Sequence, residues 1–313
     1  MTDTRRRYYS IAHDSSRWDG FEFRNGDIII STPPKCGTTW TQMICALLIF
    51  QEPVPPRPLS ELSQWLDMCM KPRELVFAAF GAQRHRRFIK SHTPLDGLPS
   101  DERVTYVCVG RDPRDAALSW HHHWNNMDEE VFFGARANVM GVDDLPELLA
   151  LDPPPTDLSP RGRFWHWVDN PSLPVHVTCS LRSTLHHYDL ALAALDRPNV
   201  VVLHYSDLKR DLEGEMRRLA GRLGIAVDEK LWPTLVDAAS FERMRSRADE
   251  VAPNTTERLW KDNRNFFHSG SSGGWREFVD EEGLKRYDAR VAELTSPRVA
   301  RWAHQGFGGS ARR

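Results

Sequence analysis

The sequence predicts an α/β fold, a single domain built on a central parallel sheet flanked by helices. Short apolar runs recur along the chain and are continuous rather than alternating, the pattern of strands buried on both faces. Longer amphipathic stretches follow three of these runs. Strand-then-helix repetition is met by parallel strands joined through crossover helices. A chain of 313 residues can bury the large core such a fold needs.

The start, "MTDTRRRYYS", is basic but no apolar stretch follows it, so it reads as a solvated arm and not as a secretory leader. The first strand is "GDIIIS" (26–31), and the helix "TTWTQMICALLIFQ" begins at Thr38. "PVPPRP" (53–58) is a loop, and "RFIKSH" (87–92) is the second strand. "VTYVCVG" (104–110) is the third, followed by the helix "RDAALSWHHHWNN". Residues 128–178 are the least regular part of the chain. They hold the aromatic-rich "VFFGARANVM" and "RFWHWVDN" and the proline-rich loop 152–160, and a region of this kind beside a site carries variable substrate contacts. "NVVVLHY" (199–205) is the fourth strand, and the helix "SDLKRDLEGEMRRLAGRLG" ends at Gly224. The domain core spans about residues 20–300, and "QGFGGSARR" (305–313) reads as a flexible tail.

A formal net charge of −2 offers nucleic acid no bulk attraction, so any anion site must be a local gathering of cations. No apolar stretch reaches the roughly 18 residues of an integral membrane segment. The five cysteines lack CxxC spacing, which points to reduced thiols in a cytoplasmic protein, without a disulfide framework or a zinc site. In "HHHW" (121–124) consecutive helical residues point about 100° apart, so the histidines are not expected to converge on a metal.

Chemistry concentrates at the strand ends, where ligands of such sheets bind. The turn "TPPKCGTTW" (32–40) sits between a strand and a helix, the layout of a phosphate cradle, yet its lysine precedes the glycine by two residues. A nucleoside-triphosphate loop places lysine directly after its second glycine. Here Thr38 and Thr39 open a helix whose N–H groups attract an anion, Gly37 permits close approach and Lys35 adds charge. Cys36 sits beside Lys35 at that helix start, where a thiolate is favoured, but it reads as a small loop residue and not as a nucleophile. "VCVGRDPRDAALSW" puts Arg111 after a buried strand and Ser119 eight residues on, a planar donor fork and a hydroxyl suited to phosphate. In "FIKSHTPLDGLP", Lys90 and His92 face the same side, and neighbouring cations keep the imidazole neutral and available as a base. Tyr205 ends the fourth strand at the same edge.

In this order the three motifs resemble the cytosolic-type sulfotransferases that use 3′-phosphoadenosine 5′-phosphosulfate (PAPS), over about residues 26–290. "RRFIKSHTPLDGLP", "GRDPRDAA" and "RSRADEVAPNTT" look more narrowly like the actinobacterial (mycobacterial) glycolipid sulfotransferases. The resemblance implies a P-loop-like strand–loop–helix in which Lys35, Cys36, Gly37, Thr38 and Thr39 bind the 5′-phosphosulfate. It implies that Arg111 and Ser119 bind the 3′-phosphate, that Trp40 stacks on adenine, and that Tyr205 and Phe241 complete the nucleotide pocket. His92 is then the catalytic base, with Lys35 and Lys90 beside the transferring group. No metal is expected, because a sulfuryl group carries less charge than a terminal phosphate, and the acceptor is a hydroxyl of a small molecule or glycolipid. Family members commonly carry Arg-Lys-Gly near the C-terminus, contacting the 3′-phosphate; the matching His268, Ser269 and Gly270 here are expected to take that place in cofactor binding, and Ala239 replaces a common threonine. The vertebrate-type dimerisation sequence is not recognisable, which leaves the oligomeric state open. Two other readings remain, a kinase-like phosphotransferase and a non-catalytic nucleotide-binding relative. The missing GK[ST] counts against the first, and the retention of Lys35, Lys90, His92 and Ser119 against the second.

Overall fold

Four short strands, β1 (Ile28–Ser31), β2 (Phe88–Ser91), β3 (Thr105–Gly110) and β4 (Val200–His204), pair in the order β2-β1-β3-β4, every pair parallel. The computed structural model describes residues 5–253, 257–267, 270, 272–277 and 279–308. All four strands lie within the runs read from the sequence. Their continuous hydrophobicity has the expected cause, since alternate residues supply two separate cores. Ile28, Ile30, Phe88, Val107, Val109, Val201 and Leu203 face one layer. Ile29, Ile89, Tyr106, Cys108, Val200 and Val202 face the other.

Helices cover both faces. Met43, Ile44, Leu47 and Leu48 of the Thr38–Phe50 helix and Met216, Leu219 and Leu223 of the Leu212–Leu223 helix fill the first core. Leu181, Leu185 and Tyr188 of the Leu181–Ala193 helix, with Val299 and Trp302 of the Pro297–Gln305 helix, fill the second. Each fully buried aliphatic side chain contributes roughly 1.5–3 kcal/mol. All five cysteines are free and buried.

The two ends of the sheet differ. At the amino ends Arg87 Nε donates to Asp27 Oδ1 at 2.9 Å in a buried pair joining the starts of β2 and β1. At the carboxyl ends the chain leaves β1 toward β2 on one side and leaves β3 toward β4 on the other, so a crevice opens between β1 and β3. The turn at Lys35–Gly37 and the residue Arg111 follow these two strands.

Several expectations need correction. The segment 206–224 is two helices, Tyr205–Arg210 and Leu212–Leu223, because Asp211 leaves helical geometry (φ −146°, ψ 77°) and caps the second through the Gly214 amide. Gly224 does end it in the left-handed conformation. Residues 128–178 hold three helices, Glu129–Met140, Leu145–Leu151 and Pro160–Asp169. Asp128 and Ser159 cap two of them, and Phe164, Trp167 and Val168 bury one face at i, i+3, i+4; the partly buried Trp165 beside them masked that period. The N-terminal arm is packed, with Tyr8 buried and its hydroxyl donating to Asp96 at 2.6 Å. In the segment 305–313, Phe307 packs on Trp302 and its amide donates to Asp207 at 3.0 Å, while 309–313 lie outside the described residues. Among the described residues no helix is long and apolar enough to cross a membrane.

Gly110 ends β3 with Trp302 and His204 packed where a side chain would project. Gly110→Ala is expected to cost about 1–3 kcal/mol through overpacking, read as a lower urea midpoint with unchanged slope.

Candidate active site

The crevice deepens into a cavity of about 750 Å³ whose wall includes the turn after β1. Two residues of that turn have positive φ, Lys35 (66°) and Gly37 (105°). Only glycine takes the second without strain, and a Cβ there would also lie 3.4 Å from Tyr205. Gly37 is the N-cap residue of the Thr38–Phe50 helix and no side chain caps it, so the helix start, with its partial positive charge, opens on the cavity. The Thr32 and Thr38 hydroxyls bond each other and brace the turn.

Arg111 crosses the crevice. Its Nη1 donates to the Lys35 carbonyl at 3.1 Å and its guanidinium lies over Tyr205, 4.5 Å from the centroid. Tyr188 fixes its backbone, accepting from the Arg111 amide at 2.9 Å and donating to its carbonyl at 2.8 Å. Ser119 lines the same cavity two turns into the Pro113–Asn126 helix, and Asp115 of that helix accepts from the Gly273 amide at 2.7 Å. Trp40 stands edge-on to Tyr205, with centroids 5.1 Å apart, and its indole donates to Ala239 O at 2.8 Å. Phe241 faces Gly270 so closely that a Cβ there would meet its ring at 2.9 Å. Lys209, unremarked in the sequence, donates to the Gly270 carbonyl at 2.9 Å and also borders the cavity.

On the opposite wall, Lys90 and His92 flank Trp65. The ammonium lies 4.6 Å from its centroid and the imidazole packs edge-on at 4.6 Å. His92 Nδ1 lies 2.7 Å from the Thr32 carbonyl, which only accepts, so Nδ1 carries the proton and Nε2 the lone pair. Burial first, and Lys90 second, hold this imidazole well below its ordinary value, so it is neutral at physiological pH. Burial also lowers Lys90 to about 8, and burial together with Arg111 and Lys90 lowers Lys35 to about 7. Buried Asp67 accepts from Ser91 at 2.6 Å and from Thr93, holding the residues on either side of His92. Nothing in the spacing of "QWLDMC" announces this.

Cys36 departs from the reading of the turn. It is fully buried, does not line the cavity and has its Sγ 3.2 Å from Tyr188 Oη. Burial raises its thiol to about 11, opposite to the effect expected of a helix start beside a lysine. His123, read from the sequence only as part of a histidine run, accepts from Lys35 Nζ through Nδ1 at 3.2 Å. The remaining wall is aromatic, with Trp120, Trp124, Phe132, Trp260 and Phe266. Of the region 128–178, Phe132, Ser159–Arg161 and Thr178 reach the cavity. His268 and Ser269 lie outside the described residues.

The geometry thus joins an uncapped helix start, the side chains of Lys35, Lys90, Arg111, Arg161 and Lys209, and the neutral imidazole of His92 around one cavity. Residues 25–297 match the model of the sulfotransferase domain. A glycolipid sulfotransferase of Mycobacterium bovis is 43% identical over 319 residues, covering 98% of this chain and 96% of that protein. Two solved structures are similar in fold. One is mouse sulfotransferase SULT7A1 complexed with PAP (TM-score 0.68, 19% identity, 95% of this chain and 93% of that one). The other is retinol dehydratase in complex with androsterone and inactive cofactor PAP (TM-score 0.67, 21% identity, 91% and 86%). A family model spanning nearly the whole sheet-and-helix framework, with a full-length relative of this identity, leads to one conclusion: the chain belongs to the sulfotransferase family.

Proposed function

We propose that this sulfotransferase moves the sulfuryl group of PAPS to a hydroxyl of a glycolipid, with His92 as general base. One observation carries the reading: His92, with its lone pair on Nε2, shares a cavity with Lys35, Lys90 and the uncapped helix start. The residues present fit the donor. Lys35 and the amides of Gly37, Thr38 and Thr39 would hold its 5′-phosphosulfate, and Arg111 and Ser119 its 3′-phosphate. Trp40, Tyr205 and Phe241 would enclose the adenine. Lys209 brings a cation to Gly270, at the edge where the family's Arg-Lys pair is absent. Cys36 has no part beyond filling the layer beneath the turn.

Bound there, the donor supplies an activated sulfuryl group. His92 Nε2 takes the proton of the acceptor hydroxyl as that oxygen becomes nucleophilic. Lys35 and Lys90 meet the charge that develops at the reacting centre, and the low-dielectric surroundings that lower both lysines strengthen their effect. The Thr32 carbonyl holds the imidazole in the tautomer that a base requires. For the acceptor, the aromatic wall offers flat apolar faces to sugar rings and acyl chains. The full-length relative described as a glycolipid sulfotransferase supports the same substrate class.

Labelled PAPS offered with glycolipids and with small soluble alcohols tests the acceptor class; transfer to the small alcohols alone would overturn the glycolipid assignment. In the same assay His92→Ala is expected to lose at least about a hundredfold in kcat with donor affinity retained. A nearly unchanged kcat removes His92 from the mechanism.

The 3′,5′-bisphosphate PAP is expected to bind roughly tenfold to a hundredfold more tightly than adenosine 5′-monophosphate, since an arginine–phosphate contact contributes about 1.5–3 kcal/mol. Arg111→Ala should erase most of that preference and leave the monophosphate affinity nearly intact. Calorimetric titration reads both, and equal affinities in the unmodified chain would exclude a working 3′-phosphate pocket.

The pH profile carries a sign. Lysines lowered to about 7 and about 8 are charged below those values and lose charge as pH rises through them. The kcat/KM for donor, which reports the free enzyme, is therefore expected to fall above about pH 7–8. An anionic donor favours the charged ammonium, so the corresponding fall in kcat should lie at higher pH. Coincident limbs would contradict the assignment.

A further inference from the structure

We propose that His123 is a positioning residue for the reaction, a hydrogen-bond acceptor that seats the Lys35 ammonium against the aromatic wall. The inference rests on the reading of Lys35 given above. Lysine has a long, flexible stem, and nothing in the turn itself fixes where its charge lies. In the structure Nζ is held at two points, 3.2 Å from His123 Nδ1 and 4.2 Å from the centroid of Phe266. His123 is in turn wedged among aromatic rings, 4.6 Å from Trp260, 5.3 Å from Trp120 in a stacked arrangement and 5.9 Å from Phe266. The seat is therefore rigid, built by the Pro113–Asn126 helix and the segment that carries Trp260 and Phe266.

The groups facing Lys35 explain why an acceptor is needed there. Arg111, from the end of β3, and Lys90, from β2, both disfavour its charge, and burial does so more strongly. Cys36 in the same turn and Cys179 before the Leu181–Ala193 helix favour it only as thiolates, and burial keeps both thiols protonated at neutral pH. His123 is neutral, held well below its ordinary value by burial and then by Lys35 and Lys90, so its Nδ1 lone pair is available. A bond accepted from an ammonium stabilises the charged form, so His123 both places the charge and retains it. A residue that only filled space at this position would need no nitrogen.

The test compares His123→Phe, which keeps a ring among Trp120, Trp260 and Phe266 but has no acceptor, with His123→Asn, whose Oδ1 accepts. His123→Leu serves as a second acceptor-free variant should the first fail to fold, and PAP affinity by calorimetry checks the integrity of each protein. The titration of Lys35 is followed by NMR of chains carrying ¹³C-labelled lysine, the resonance assigned through Lys35→Arg. The acceptor-free variant is expected to lower the Lys35 midpoint by about half a pH unit or more, with His123→Asn close to the unmodified chain. In parallel, kcat/KM for donor should fall about fivefold to twentyfold in the acceptor-free variant, its alkaline limb moving down by the same shift, and recover in His123→Asn. An unmoved midpoint in the acceptor-free variant, or equal impairment of the phenylalanine and asparagine variants, overturns the proposal. Unimpaired turnover by Lys35→Met would instead strike the role assigned to Lys35 and leave the titration result standing.

Discussion

The site depends on cations gathered around one cavity where burial works against their charge. Lys35, Lys90 and Arg111 border one cavity; burial works against the charge of both lysines, and Arg111 and Lys90 add to the cost at Lys35. Asp67, the carboxylate that favours the charge of Lys90, is committed to Trp18, Ser91 and Thr93. The arrangement is completed by an anion, and the uncapped helix start points to the same requirement. Elements farther away hold the cations in place against repulsion: Tyr188 clamps the backbone of Arg111, and the aromatic rings around Trp65 and Phe266 hold the lysine tips.

The proposed base, His92, is oriented by a backbone carbonyl rather than by a carboxylate. Its Nδ1 proton is directed to a backbone carbonyl, which orients the ring without adding the negative charge that would raise its proton affinity. Burial first, and Lys90 second, keep the imidazole unprotonated, as the proposed role requires. The burial that lowers both lysines therefore also keeps the histidine neutral.

The parallel sheet was legible because both faces of every strand are buried, which leaves a run such as Ile28–Ile30 with no polar alternation. Lys35, Gly37, Arg111, Lys90 and His92 were legible because each lies at or near a strand end, where sequence position fixes spatial position. His123 and Asp67 were not, since their roles depend on side chains distant in sequence, 88 residues from His123 to Lys35 and 26 from Asp67 to Thr93. Cys36 was placed among the phosphosulfate contacts for a related reason. Its neighbours along the chain favour a thiolate, but the direction of its side chain, into the layer under Tyr188, decides the matter. The helices of 128–178 were hidden by aromatic residues on both faces, a composition that suits a segment packed on the core on one side and close to the cavity on the other.

The burial of all five cysteines has a practical consequence. Each thiol is raised to about 11 or above, so in the closed fold none offers an alkylating or oxidising reagent an accessible thiolate. The cysteines of the closed fold are therefore expected to resist such reagents, and thiol modification that does occur records a moment of opening. Cys36 lies directly beneath the turn after β1, Cys108 lies within β3, and Cys45 lies in the helix behind the turn. Their separate labelling rates therefore form an intrinsic clock, one that distinguishes a local loosening of the turn from separation of the sheet itself.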